Sequence, residues 1–132
     1  MDVLKFNNVS KDYCNKGESL EVLKNIEFNL IEGQIIAITG PSGSGKTTIL
    51  NLISGLLKPS KGTIETSGEI GYMFQRDHLF EWRNVFDNVI IGLEIKKMLN
   101  DDNLKKVNRM LDIYGLKDFK NSYPSELSGG MR

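Results

Sequence analysis

The run Gly40-Pro41-Ser42-Gly43-Ser44-Gly45-Lys46-Thr47 fits the pattern G-x-x-x-x-G-K-[ST], a loop built to cradle phosphate groups. Glycines let the backbone approach anionic oxygens with no Cβ in the way. Successive amide N–H groups in such a loop face one concavity, and the helix N-terminus behind it adds partial positive charge. Lys46 then sets a cation against the β- and γ-phosphates of a nucleotide, and Thr47 offers a hydroxyl to the Mg²⁺ that bridges them. Thr48, next along the same helix end, completes the phosphate-binding set. A bare glycine-rich turn capping an ordinary helix is the competing explanation, and the flanking elements decide between the two.

Just before the loop, Ile35-Ile36-Ala37-Ile38 is a short apolar run rich in β-branched residues. It reads as a strand buried on both faces, the kind found in parallel sheets. From Lys46 the period becomes helical, with Ile49, Leu50, Ile53 and Leu56 on one stripe and Gly55 and Pro59 near the stop. Strand, glycine-rich loop, helix is the context that a phosphate loop requires. Upstream, alternation over Val3 to Val9 and through Ile26, Phe28 and Leu30 suggests two half-buried strands separated by a polar loop, Asn15 to Ser19. Thr63 to Thr66 and Ile70 to Phe74 read as further strands. Asn84 is a candidate N-cap for a helix lined by Val85, Val89, Ile90 and Leu93. A second helix fits Asp101 to Tyr114, with Leu104, Val107, Leu111 and Tyr114 inward and Gly115 at its end. The chain is thus expected to be α/β, β-rich over residues 1–75 and helical over 76–132.

Composition narrows the setting. The 132 residues carry 17 basic and 17 acidic side chains, so no net field draws the chain to nucleic acid or to an anionic membrane. Cys14 is the only cysteine, which excludes an internal disulfide and suits a reducing compartment. The N-terminus lacks the basic start and apolar run of a signal peptide. No stretch approaches the roughly 18 apolar residues that span a bilayer. Contact with a membrane is therefore expected to go through another protein.

Three further segments carry a family resemblance. Leu127-Ser128-Gly129-Gly130-Met131-Arg132 resembles the signature of ATP-binding-cassette (ABC) ATPases, usually Leu-Ser-Gly-Gly-Gln, with Met131 in place of the glutamine. Gly71-Tyr72-Met73-Phe74-Gln75 resembles the strand end that delivers a glutamine into a loop between the two subdomains of those enzymes. Tyr13 resembles the aromatic residue that stacks on adenine ahead of the phosphate loop. The three stand in the family's order around the phosphate loop and span nearly the whole chain. The stretch from Phe74 to Glu94 looks like the nitrate/sulfonate/taurine-type importers, which show Leu-Pro-Trp where this chain has Phe80-Glu81-Trp82. The long heptad repeats of the DNA-repair and chromosome-organising relatives are absent.

The resemblance implies a P-loop NTPase (RecA-like) core followed by a helical subdomain, here incomplete. It implies ATP and Mg²⁺ as cofactors, with Lys46 and Gln75 in catalytic roles and Thr47 and Gln75 at the metal. Two such subunits would sandwich ATP, with Ser128, Gly129 and Gly130 facing the γ-phosphate held by the opposite subunit. A membrane-spanning permease would receive the motion through the region around Gln75, which places the protein in the cytoplasm, on the inner face of the membrane. His78, the single histidine, falls outside the position of the family's switch histidine and reads as exposed loop. The family's catalytic Asp-Glu pair lies on a strand downstream of the signature, beside Ile35–Ile38. Residues 1–132 lack it, so they are expected to bind nucleotide without turning it over and to leave an apolar strand edge open. The alternative is a non-hydrolysing nucleotide-binding protein that pairs with a complete subunit.

Overall fold

A computed structural model describes residues 1–15 and 17–132. Lys16, inside the expected loop Asn15–Ser19, lies outside the described residues. The chain divides into two compact units, Met1–Tyr72 and Met73–Arg132.

The first unit contains β1 (Asp2–Asn15), β2 (Glu18–Ile31), α1 (Lys46–Ile53) and β3 (Lys61–Thr66). The strands form an antiparallel sheet in the order β2-β1-β3. Central β1 pairs Phe6 with Phe28 on one side and with Ile64 on the other. The Phe6 ring stacks on Phe28 with centroids 4.6 Å apart, and Phe6 and Val9 are wholly buried.

Leu4, Phe6 and Val9 face the core together, which strict alternation forbids. A bulge resolves this. Asn8 takes φ 48° and the β1–β2 register shifts between Phe6 and Val9. The partner strand answers with Asn25 at φ 46°, between core-facing Leu23 and Ile26. Ser10 is buried beside this irregularity: its Oγ accepts from the Asn25 N–H at 2.9 Å and donates to Asn25 Oδ1 at 3.4 Å. The hydroxyl thus avoids the desolvation penalty of an unpaired buried group.

Against this sheet α1 lays Ile49 and Leu52. The expected stripe is only partly right: Leu50 and Leu56 are exposed, and Leu52 takes the core position. The helix stops at Ile53, before Leu56 can return to the sheet, and Gly55 turns the chain so that the Leu57 N–H reaches the Asn51 carbonyl at 3.0 Å.

Two expected strands are corrected. Ile35–Ile38 has no strand partner among the described residues, and Ile35 and Ile36 are exposed, while Ile38 alone packs on the core. Ile70–Phe74 is likewise not a strand. An apolar run becomes a doubly buried strand only when neighbours lie on both sides, and β1–β3 supply none here. The Tyr72 hydroxyl instead ties its segment to α1 by donating to Asn51 Oδ1 at 2.8 Å.

The second unit holds α2 (Val85–Ile95), α3 (Asp101–Ile113) and 3₁₀ turns at Lys117–Phe119 and Pro124–Glu126. Asn84 caps α2 by accepting from the Asp87 N–H at 2.7 Å, and Asn100 caps α3 through the Asn103 N–H at 2.9 Å. Val85, Ile90, Val107, Leu111 and Leu127 form the core. Val89 and Tyr114, both expected inward, are exposed. Tyr114 is where α3 ends, so its side chain leaves the helical stripe, and past Gly115 the Leu116 N–H closes back on the Leu111 carbonyl at 2.7 Å.

Gly62 lets β3 approach the bulge. A Cβ there would collide with the carbonyl oxygens of Asn7 and Asn8, and φ is 81°. Gly68 has a similar φ of 84° but open space around it. Thermal unfolding should therefore show Gly62→Ala destabilised by about 3 kcal/mol or more, against about 1–2 kcal/mol for Gly68→Ala. Equal losses would mean that backbone strain alone, not the close approach, makes Gly62 necessary.

Candidate functional site

In the first unit, residues 40–48 run from the end of the Ile35–Ile38 segment into α1. Gly43 and Gly45 adopt left-handed φ values of 82° and 88°, and the Ser44 N–H closes a turn on the Pro41 carbonyl at 3.3 Å. The loop rests on β2. A Cβ on Gly45 would sit 2.8 Å from Leu23 Cδ2 and 3.3 Å from the Val22 carbonyl oxygen, so only glycine permits this seat. Leu23 is itself buried in the first core, which makes the loop's floor rigid.

Lys46 folds back over the loop. Its Nζ donates to the Gly40 carbonyl at 2.8 Å, the Pro41 carbonyl at 2.6 Å and Ser44 Oγ at 3.3 Å. The ammonium is thus held at the rim of the loop, half-buried and directed inward. No side chain caps α1, whose N-cap is Gly45. Among the described residues no side chain accepts from its first N–H groups, and a helix N-terminus of this kind favours an anion. Thr47 is exposed and Thr48 half-buried on this first turn.

Tyr13 is 39% exposed, near the tip of the β1–β2 hairpin, with Lys11 Nζ 5.3 Å from its ring centroid. It pairs with Leu20 in the ladder, two residues along β2 from Val22. That separation is about 7 Å along the strand. The Tyr13 ring thus belongs to the same two-strand ladder that carries Val22, with Lys11 against it.

In the second unit, Gln75 is exposed in a bend with Arg76. Beside it the Phe74 and His78 rings meet edge-on at 4.8 Å, and exposed His78 takes φ 48°. The signature segment is a turn, Ser128–Met131, closed by the Met131 N–H on the Ser128 carbonyl at 3.0 Å. Leu127 and Pro124 are buried and anchor it, whereas Ser128, Gly129 and Gly130 are exposed. An added Cβ on Gly129 or Gly130 would meet nothing within 4 Å, and neither has a left-handed φ. Nothing inside the chain demands glycine at these two positions. Arg132 Nη1 lies 3.8 Å from Asp77 Oδ2, so the Gln75 loop and the signature turn are joined within this unit.

The first unit thus contains the glycine loop, Lys46, Thr47 and Tyr13, and the second contains Gln75 and Ser128–Gly130. Sequence reasoning missed Val22 and Leu23 under the loop, the Asp77–Arg132 pair and the polar anchoring of residues 80–84. None has a linear signal, because each contact joins segments far apart in the chain or a side chain to backbone.

A protein-family model described as ABC transporter matches residues 23–132. The chain belongs to the ABC transporter family. Similar ABC proteins include the taurine import ATP-binding protein TauB of Pelagibacter ubique (strain HTCC1062), 42% identical over 89% of this chain and 47% of its own length. The uncharacterized ABC transporter ATP-binding protein YtlC of Bacillus subtilis (strain 168) is 38% identical over 100% of this chain and 54% of its own. Among solved structures, a dimeric post-hydrolysis state of the ATP-binding cassette MJ0796 bound to ADP and Pi superimposes with a TM-score of 0.85. It is 32% identical and covers 97% of this chain and 64% of that one. The chain spans about half the length of the curated relatives it matches. The fold is therefore that of a P-loop ABC cassette, seen here as a partial α/β fragment with a small antiparallel sheet and three helices. No helix among the described residues is long and apolar enough to cross a membrane.

Gly45→Ala would force a side chain into Leu23 at a left-handed φ. Calorimetric titration should show ATP affinity reduced about tenfold or more, because the loop must lift from its floor. Wild-type affinity would show that the seat on β2 is dispensable.

Proposed function

We propose that the chain is the ATP-binding part of an importer ATPase, coupling ATP binding and hydrolysis in the whole protein to solute entry through a membrane permease. The observation that carries this reading is Lys46. Its ammonium is held by two loop carbonyls and Ser44 at the uncapped N-terminus of α1. A phosphate oxygen exchanges with those carbonyls as the acceptor, and it brings the negative charge that the helix end favours. The residues fit the nucleotide: glycines at 40, 43 and 45 keep the loop open to phosphate, Lys46 neutralises charge, and Tyr13 offers a ring for adenine.

Mg²⁺ fits as a companion of the phosphates. The described residues contain no cluster of three or more His, Cys, Asp or Glu that could hold a metal by themselves. Its protein ligand in the first unit, in this reading, is the Thr47 hydroxyl, and the nucleotide supplies the anionic oxygens. When bound, the ion neutralises charge on the β- and γ-phosphates. Gly129 and Gly130 have open space around them and Ser128 is exposed, which suits an approach by a second ATP-binding subunit carrying its own nucleotide. The dimeric state of the MJ0796 cassette supports that pairing. TauB relatives support the nitrate/sulfonate/taurine-type assignment, and in this reading a permease partner holds the protein at the inner face of the membrane.

Removing the Lys46 charge forfeits one charged hydrogen-bonding group, about 1.5–3 kcal/mol. Lys46→Ala should weaken ATP binding by about tenfold to a hundredfold in a calorimetric titration. Equal affinity in well-folded wild type and variant would rule out the phosphate-loop assignment.

A further inference from the structure

We propose that Asn88 is a positioning residue: its amide staples Phe80–Asn84 to α2 and so sets the fixed end of the loop that carries Gln75. Oδ1 accepts from the Phe80 N–H at 2.9 Å. Nδ2 lies 3.1 Å from the Phe80 carbonyl, 2.9 Å from that of Arg83 and 3.0 Å from that of Asn84. One side chain therefore engages both backbone groups of Phe80, as a neighbouring strand would, while also closing the first turn of α2. The amide supplies its donor and its acceptor on separate atoms, so it meets both groups at once.

Apolar burial is not what holds this segment. Phe80 and Trp82 sit with ring centroids 5.0 Å apart, and Trp82 is 75% exposed. The order of residues 80–84 comes from polar anchors: Asn88 at one end and, at the other, Arg83, whose Nη2 lies 2.8 Å from both carboxylate oxygens of Glu94. Five residues before Phe80 stands Gln75, and between them Asp77 reaches Arg132. With Phe80 stapled, a displacement of Gln75 is passed on to the Trp82 surface and to the signature turn. With Phe80 released, the loop absorbs it. This second step rests on Gln75 responding to bound nucleotide.

Trp82 is the only tryptophan, so its emission reports this segment alone. The test uses the full chain, with ATP and Mg²⁺ as the probe and calorimetry as an independent measure of binding. In Asn88→Ala, the ps–ns anisotropy decay of Trp82 should gain a fast component of about half the amplitude, while far-UV circular dichroism stays native. ATP affinity should stay within about twofold of wild type, and the ATP-induced change in Trp82 emission should disappear. Asn88→Ser serves if the alanine variant fails to fold, because a serine hydroxyl bonds back to the Asn84 carbonyl but cannot reach Phe80. A folded variant with wild-type Trp82 anisotropy overturns the staple. A wild-type emission that ignores saturating ATP, or an ATP response retained in Asn88→Ala, overturns the transmission. Gln75→Ala separates the two readings: if it keeps the ATP response while Asn88→Ala loses it, the staple stands and the role of Gln75 falls.

Discussion

Phe6 lies against Phe28 with nothing of its own ring left to solvent, and β1 carries it between two strands that both depend on that position. A side chain of this size contributes about 3–5 kcal/mol through burial and packing. The same cluster receives Ile49 and Leu52, and those two residues fix where α1 lies on the sheet. Once α1 is fixed, so is Gly45 at its N-terminus, and the glycine loop has a single place to lie. The glycine loop is thus positioned by aromatic packing between the sheet and α1, through a chain of apolar contacts rather than polar ones.

The loop itself is held in the opposite way. Lys46 bonds to carbonyl oxygens, and Gly45 leans on the Val22 backbone and the Leu23 side chain. A rigid floor and an ammonium held by loop oxygens suit anion capture. The floor holds the loop backbone in place, and a lysine on a flexible stem can change acceptors without moving backbone.

Much of this was legible in the residues. The glycine loop is contiguous, so the family it belongs to could be read from a linear stretch. The N-cap at Asn84 and the stop at Gly115 also follow local rules, since capping depends on neighbours a few residues away. The bulges at Asn8 and Asn25 were not legible, because an alternating pattern cannot show that two strands slip phase together. The Ile35–Ile38 run was misread for a related reason. Its composition describes a strand with neighbours on both sides, and composition cannot say whether the neighbours are present. Leu52 replaced Leu56 in the core because helix length, set by where Gly55 falls, decides which residues of a stripe come round to the sheet. Asn88 carries no linear signal, because its meaning lies in three carbonyls and one N–H that the fold brings to it.

Gly129 and Gly130 stand in open space with ordinary backbone angles. A variant library sorted only for folding or solubility would treat both as free to drift, since no internal contact penalises a side chain there. A library sorted for a task performed with a second molecule would not. The two sortings, laid side by side, would draw the outline of whatever comes to rest on that turn without a complex ever being isolated.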